Sequence, residues 1–441
     1  MRLTWQVSLI HFCMKVFILG GGGREHALGW KLAQSDKVEK LYFLPGNAGT
    51  AEIGTNLDIS PVDISAILAK AKELKPELIV VGPEAPLFEG ISDKLSAEGF
   101  RVFGVSQKAA MLEAEKSYAK EFLKRHSIPT AAFKIFTEPQ AAIDYVKSTD
   151  GSLVIKASGP ALGKGVILTN TVDEAITVIQ DIMVEKHFGN AGSSIVIEEK
   201  LFGEEVSILF LTNGLHYVSF PPSQDHKQIG EGDTGLNTGG MGAYAPAPLV
   251  DARLLEIIED SIIQPVLEGL QKERISYKGV MYIGLMITAD GPKVLEFNCR
   301  FGDPETQPLM LLTDEDLAEL FLDTTRGNIS TRRVKTRPGC ALCVIAASEG
   351  YPASYQKGKQ ITMEFEQTDN LVCFHAGTRI KESKLLTSGG RVLGITAFAE
   401  DLKQAKQQAY RPLEKGKITF DGIYYRHDIG DKGIERIKTE L

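Results

Sequence analysis

Glu296, Asn298 and Arg300 stand at two-residue intervals in the run VLEFNCRFGDPETQ, residues 294–307. On a β-strand that spacing turns all three side chains to one face. A carboxylate and an amide oxygen placed together are hard ligands suited to Mg²⁺, and Arg300 adds a cation for an anionic substrate. Glu-x-Asn alone would better suit the wet face of an edge strand, but that explains poorly why Gly302, Asp303, Pro304 and Glu305 follow Arg300 at once. Lys156 lies inside the apolar run LVIKA, where a lysine must meet an anion or a cavity. The next loop holds Gly159, Gly163, Lys164 and Gly165, and a second apolar run, GVIL, follows it. This is a strand–loop–strand hairpin. It suits a flap over phosphates and not a P-loop, which needs a helix after its glycines. Lys116, in the amphipathic stretch EKSYAKEFLKRHSIP, would by itself be an ordinary solvated lysine.

The elements that must position these groups begin at Lys15. KVFILG, the glycines 20–23 and HALGWKLAQS predict strand, tight turn and helix, with free helix N–H groups facing an anion. A dinucleotide site is disfavoured, because Glu25 takes the place of the last glycine of G-x-G-x-x-G and no acid follows KLYFL. ISAILAKAKELK, ELIVVG, ISDKLSAEG and FRVFG continue the alternation of helix and strand. A parallel, doubly wound sheet results, with its crevice at the strands' carboxyl ends. The loops GGGGRE, PGNAGT and GPEAPL all leave that edge and together predict a small-ligand site. SIVIEEKLFGEEVSILFLT supplies two strands around Leu201–Gly203, and the irregular segment 221–248 reads as a binding loop. Beyond Arg333, RPGCALCVIAAS, FHAGTRI, GGRVLGITAFA and DLKQAKQQAYRPLEK predict a separate small α+β domain without a motif of its own.

The 441 residues suit about two to four domains. A charge of −8 offers no basic field for nucleic acid, and no apolar run reaches the roughly eighteen residues of a membrane span. Five cysteines make no disulfide framework, and Cys340-x-x-Cys343 reads as part of a buried strand. Cytoplasmic chemistry fits that usage. Residues 1–13 carry no leader pattern and read as an extension without function, Met14 opening the first domain. His26 and His226 read as loop-orienting groups, and Asp303-Pro304 as the cap and first position of a helix.

Lys116, Lys156 before a glycine-rich flap, Glu198-Glu199-Lys200-Leu201 with Gly203 and Glu205, and Glu296-Phe297-Asn298 together resemble the ATP-grasp ligases. The longer stretches GGGREHAL, PGNAGT, GPEAPL, SQDHK, DTGLNTGGMGAY and EFNCRFGDPETQ resemble one member family, the phosphoribosylamine–glycine ligases, from Met14 nearly to the C-terminus. The resemblance implies an N-terminal Rossmann-like domain over 14–116, an ATP-grasp core over 117–332 with a mobile lid at about 128–200, and a C-terminal domain over 333–441. It implies ATP and Mg²⁺ or Mn²⁺, with Lys116, Lys156, Gly163, Lys164 and Gly165 at the phosphates. Glu198 and Leu201 would hold the adenine, chiefly by backbone groups, Glu205 the ribose, and Glu296 and Asn298 the metal. Gly23, Arg24, Asn47, Thr50, Glu84 and Asp303 would meet 5-phosphoribosylamine, and Arg300 the glycine or its acyl phosphate. Lys116, Lys156 and Arg300 would act in the chemistry of a monomer or small homo-oligomer.

Some positions depart from the family pattern. The flap reads ASGPALGKG where the family usually has ADGLAAGKG, and Leu236 replaces a usual proline. Pro160 stiffens the flap and Ser158 removes a charge. The rival readings are a nicotinamide-dependent oxidoreductase, a nucleotide-binding protein without turnover, and another ATP-grasp carboxylate–amine ligase.

Overall fold

The computed structural model describes residues 13–161 and 165–440. Nearly all of the predicted extension, together with Gly163 and Lys164 of the flap, lies outside the described residues.

Met14–Gly20, the first strand, is almost wholly buried, as a strand covered by helices on both faces must be. It sits at the centre of a five-stranded sheet in the order Thr55–Asn56, Val38–Pro45, Met14–Gly20, Leu78–Val81, Val102–Phe103. Every pairing in that sheet is parallel. All the strands therefore deliver their carboxyl ends, and the three predicted loops, to one edge. The loops touch there, and this is why Gly21 and Gly82 must lack side chains: a Cβ on Gly21 would collide with the Gly46 carbonyl, and one on Gly82 with the Glu25 side chain.

Phe133–Phe136, Ile195–Glu199, Ser152–Ala157 and Val166–Asn170 form a four-stranded antiparallel sheet in that order. It closes around a core of its own, including Ala142, Ile155, Ile179 and Ile197. The predicted hairpin is Ser152–Ala157 running into Val166–Asn170. Residues 200–203 lead directly from this sheet into the next, through Gly203 at φ +157°, where a Cβ would strike the Ile287 carbonyl.

That next sheet runs Gly291–Asn298, Gly279–Thr288, Glu204–Thr212, Tyr217–Ser219, Arg332–Arg333. The strand bearing Glu296 is thus an edge strand. The C-terminal sheet joins Cys340–Ser348, Arg391–Ala399, Leu371–His375 and Ile423–Tyr424 to two strands from the middle of the chain, Gln224–Asp225 and Gly242–Ala245. Both strands lie inside the segment 221–248 that the sequence reads as irregular, and a small hairpin, Gln228–Gly230 with Thr234–Asn237, lies between them, so the C-terminal sheet carries the predicted binding loop. The buried helix Thr306–Leu312 packs its leucines with Ala27, Leu28 and Leu32 of the first helix. It begins at Thr306, later than Asp303-Pro304 predicts, because Asp303 does not cap it. The Asp303 carboxylate accepts from Gln307 Nε2 at 2.9 Å and pairs with Arg391 at 3.2 Å. Among the described residues no helix is long and apolar enough to cross a membrane.

Candidate active site

A cleft of about 640 Å³ opens between the four-stranded sheet, the edge strand Gly291–Asn298 and the loops of the N-terminal sheet. Its floor is set by an irregularity in that edge strand. Gly284 pairs with Glu296 while Leu285 pairs with Val294, which leaves Leu295 as an extra residue. The Leu295 carbonyl accepts from Lys156 Nζ at 3.2 Å, and Glu296 and Asn298 stand on one side of buried Phe297. Arg300 lies beyond the strand end and folds back, its Nη2 donating to Asn298 Oδ1 at 2.8 Å.

Cations converge on this floor. Lys156 pairs with Glu198 at 2.8 Å, and Lys120 holds the other Glu198 oxygen at 2.9 Å. All three side chains are buried. Lys120 also donates to Thr130 Oγ1 at 2.7 Å. Burial, and then the neighbouring Lys156, push its pKa down to about 8 against the pull of Glu198. Lys116 opens the helix Lys116–Arg125 and reaches the Gly159 carbonyl at 3.4 Å. Its ammonium too is lowered, by burial, although Glu296 opposes this. Lys227 bridges Glu205 at 2.8 Å and Glu296 at 3.5 Å. Lys227 is the main reason the Glu296 carboxyl falls to about 2 despite burial, with Lys156, Lys116 and Arg300 adding to it. Glu296 is therefore ionised throughout the neutral range, and with the amide oxygen of Asn298 it forms an all-oxygen donor pair that fits Mg²⁺ or Mn²⁺. Among the described residues no cluster of three metal-ligating His, Cys, Asp or Glu exists. Two protein oxygens supplemented by phosphate and water is the usual Mg²⁺ arrangement.

The predicted residues divide into those that line the cleft and those behind it. Lys116, Lys156, Gly165, Glu198, Leu201, Glu205, Glu296, Asn298, Arg300, Arg24, Glu84 and Asp303 all line it. Asn47 and Thr50 stand behind the wall. Asn47 donates to the Gly21 carbonyl at 3.0 Å and the His375 carbonyl at 2.7 Å, while fully buried Thr50 bonds the Asn47 carbonyl and Asn56. They hold the loop PGNAGT in shape. Gly23 lies beneath the Gln307 side chain. Arg24 is tied to Glu25 at 2.7 Å and to the Phe301 carbonyl at 3.0 Å. Glu84 pairs with Arg300 Nε at 3.2 Å. Burial would raise its carboxyl, but Arg300 and Arg24 with two hydrogen bonds outweigh that and hold it at about 2. Glu198 meets its neighbours through its carboxylate, a contact that the backbone role implied by resemblance does not include. His26 Nδ1 accepts from the His375 N–H at 2.9 Å, and His226 Nδ1 donates to the Gly242 carbonyl at 3.2 Å. Burial depresses their pKa values to about 3 and about 4. Both are neutral groups that fasten loops.

The lining residues without a role in the sequence reading include the charged groups Glu113, Lys120, Asp225, Lys227, Glu305 and Arg391. Lys120 falls one helical turn after Lys116, and Asp225, Lys227 and Glu305 lie inside the distinctive runs SQDHK and GDPETQ, so a signal existed for four. Glu113 and Arg391 had none. Arg391, from the C-terminal sheet, donates to the Asp303 carbonyl at 2.6 Å and to the Gly239 and Gly240 carbonyls, latching the glycine loop to the turn after Arg300. Among the described acids lining the cleft, all but two sit within ion-pair distance of a cation. The two are Asp225 and Glu305. Glu305 accepts from Tyr282 at 2.7 Å and Ser207 at 3.2 Å. Burial, then Glu305, raises the Asp225 carboxyl well above its ordinary value.

Two α+β sheets clasping a lysine-lined cleft, with an oxygen-donor pair on the closing strand, define the ATP-grasp class. Family models for phosphoribosylglycinamide synthetase match in three consecutive parts: the N domain over residues 14–113, the ATP-grasp (A) domain over 114–306 and the C domain over 341–432. The chain belongs to the phosphoribosylglycinamide synthetase family. A phosphoribosylamine–glycine ligase of Yersinia pestis is 47% identical over 431 residues, which cover 96% of this chain and 100% of that one. The trifunctional purine biosynthetic protein adenosine-3 of Homo sapiens is 49% identical over 95% of this chain, which spans 42% of that protein's length. The crystal structure of a phosphoribosylamine–glycine ligase from Thermotoga maritima superposes with a TM-score of 0.84 at 36% identity, covering 94% of this chain and all of the other.

Proposed function

We propose that this chain joins glycine to 5-phosphoribosylamine at the expense of ATP, giving glycinamide ribonucleotide, ADP and phosphate, a step of purine synthesis. The carrying observation is the convergence of Lys116, Lys156, Lys227 and Arg300 on the Glu296–Asn298 oxygen pair. The glycine carboxylate must attack the γ-phosphate of ATP, and the two are anions that repel. Fixed cations offset that repulsion without reorganising during the reaction. Glu296 and Asn298 would hold Mg²⁺ or Mn²⁺, whose charge offsets that of the β- and γ-phosphates. Lys156 and Lys116 would bind the phosphates beneath the flap, and Glu205 the ribose. Glu198 and Leu201 suit the adenine.

The acyl phosphate so formed is attacked by the amine of phosphoribosylamine, held by the loops around Arg24, Glu84 and Asp303. The C–N bond forms as the C–O bond to phosphate breaks, so no enzyme nucleophile is needed. Asp225 and Glu305, the described cleft acids with no cation at ion-pair distance, suit the ammonium of glycine. The separate core of the four-stranded sheet lets it close as a body over the intermediate and exclude water. A cytoplasmic monomer or small homo-oligomer is sufficient for this chemistry.

The test is ADP release with ATP, glycine and freshly generated phosphoribosylamine, each amine-ligase substrate omitted in turn. Full ADP release requires both. Release that depends on neither refutes the proposal, and dependence on a different acid or amine identifies another ATP-grasp ligase.

A further inference from the structure

Arg300 is more constrained than a substrate-binding arginine needs to be. Its Nε donates to Glu84 at 3.2 Å, its Nη1 to the Phe301 carbonyl at 3.3 Å, and its Nη2 to Asn298 Oδ1 at 2.8 Å. The remaining contact is to Glu113, whose Oε1 lies 3.0 Å from Nη2. Four acceptors for five N–H groups leave one N–H to offer a ligand. In this arrangement Arg300 serves chiefly as a fixed charge and as a brace.

Glu113 is the brace's anchor. It comes from the helix Gln107–Ala114, 186 residues before its partner Cys299, and its side chain is 9% exposed. One carboxylate oxygen takes the Cys299 backbone N–H at 2.6 Å and the other takes Arg300. A single side chain therefore grips the backbone directly after Asn298 and the guanidinium that donates to the Asn298 amide oxygen. That donation settles which amide atom faces inward and uses one of its two lone pairs, leaving the other for a cation.

We infer that Glu113 is a positioning residue of the divalent-cation site, holding the Asn298 oxygen in a fixed orientation through Arg300 and the Cys299 backbone. The inference rests on Glu296 and Asn298 being the cation's protein ligands, as proposed above. Groups that orient a metal ligand from behind typically change metal affinity about 10–100-fold when removed. Glu113→Gln keeps the size but offers one acceptor where two donors converge. Arg300→Lys keeps the charge but loses the planar fork.

The test is direct Mn²⁺ binding by electron paramagnetic resonance in the presence of ADP, without turnover, alongside ADP binding measured calorimetrically without metal. In both variants the Mn²⁺ dissociation constant rises about tenfold or more, while metal-free ADP affinity changes less than about twofold. If the wild-type protein itself fails to bind Mn²⁺ with ADP, the reading of the cleft fails. If it binds and a folded Glu113→Gln protein binds Mn²⁺ equally well, the positioning role is overturned. If Glu113→Gln does not fold, Arg300→Lys decides by the same two measurements. Parallel losses of Mn²⁺ and metal-free ADP affinity would show a merely structural role and also overturn the inference.

Discussion

Replacing Lys120 by methionine should make the protein more stable. Lys120, Glu198 and Lys156 are a buried group of two cations and one anion, and the surplus charge is costly. A folded pKa near 8 against the ordinary 10.5 means the folded state disfavours the Lys120 ammonium by about 3 kcal/mol at pH 7. Methionine removes that cost. It also forfeits the bond to Thr130, at roughly 1 kcal/mol; the attraction to Glu198 is already contained in the lowered pKa. The net gain is about 2 kcal/mol, or about 4–8 °C for a cooperative unit of roughly 200 residues. The pH dependence gives a second check. Because the folded pKa lies below the unfolded one, the unfolded chain binds more protons between pH 8 and 10.5, and stability rises with pH across that window. The advantage of Lys120→Met is therefore full below about pH 8 and shrinks toward pH 10.5. Differential scanning calorimetry of both proteins at pH 7 and pH 9.5, without nucleotide, measures it. A variant less stable than wild type at pH 7, or a gap that does not narrow with pH, would show that attraction to Glu198 exceeds the cost of burial. The stability gain should come with weaker ATP binding, since Lys120 lines the cleft.

Glu296→Ala should cut turnover by about 10²-fold or more while circular dichroism stays native; near-normal turnover would remove Glu296 from the metal site. Asp225→Asn should raise the KM for glycine about tenfold, roughly 1.4 kcal/mol, and move the KM for ATP far less; equal shifts in both would place Asp225 elsewhere. Glu84 is held at about 2 against an ordinary 4.5, so the stabilisation it contributes is present above pH 4.5 and lost as pH falls through about 2. The melting-temperature gap between wild type and Glu84→Gln should accordingly close between those values, and a gap constant down to pH 2 would deny the Arg300 pairing.

The sequence by itself determined whatever depends on local backbone geometry. Two-residue spacing put Glu296 and Asn298 on one face of a strand, and the strand–turn–helix alternation defined the N-terminal parallel sheet with its three loops at one edge. Lys156 in an apolar run declared a buried cation, and the two strands flanking the predicted flap pair antiparallel. Only the tertiary structure decided which charges meet. Glu113 reaches Arg300 and Arg391 reaches Asp303 across separations of 187 and 88 residues (300 − 113 and 391 − 303), with nothing nearby in sequence to announce either. Asn47 and Thr50 sit in a ligand-like loop, yet the packing of that loop against Gly21, Asn56 and His375 turns them inward. Spacing can set a side chain's direction relative to its own strand or helix. The partner it finds, and therefore its charge state and role, depends on how separate sheets pack, and the site lies where four of them meet.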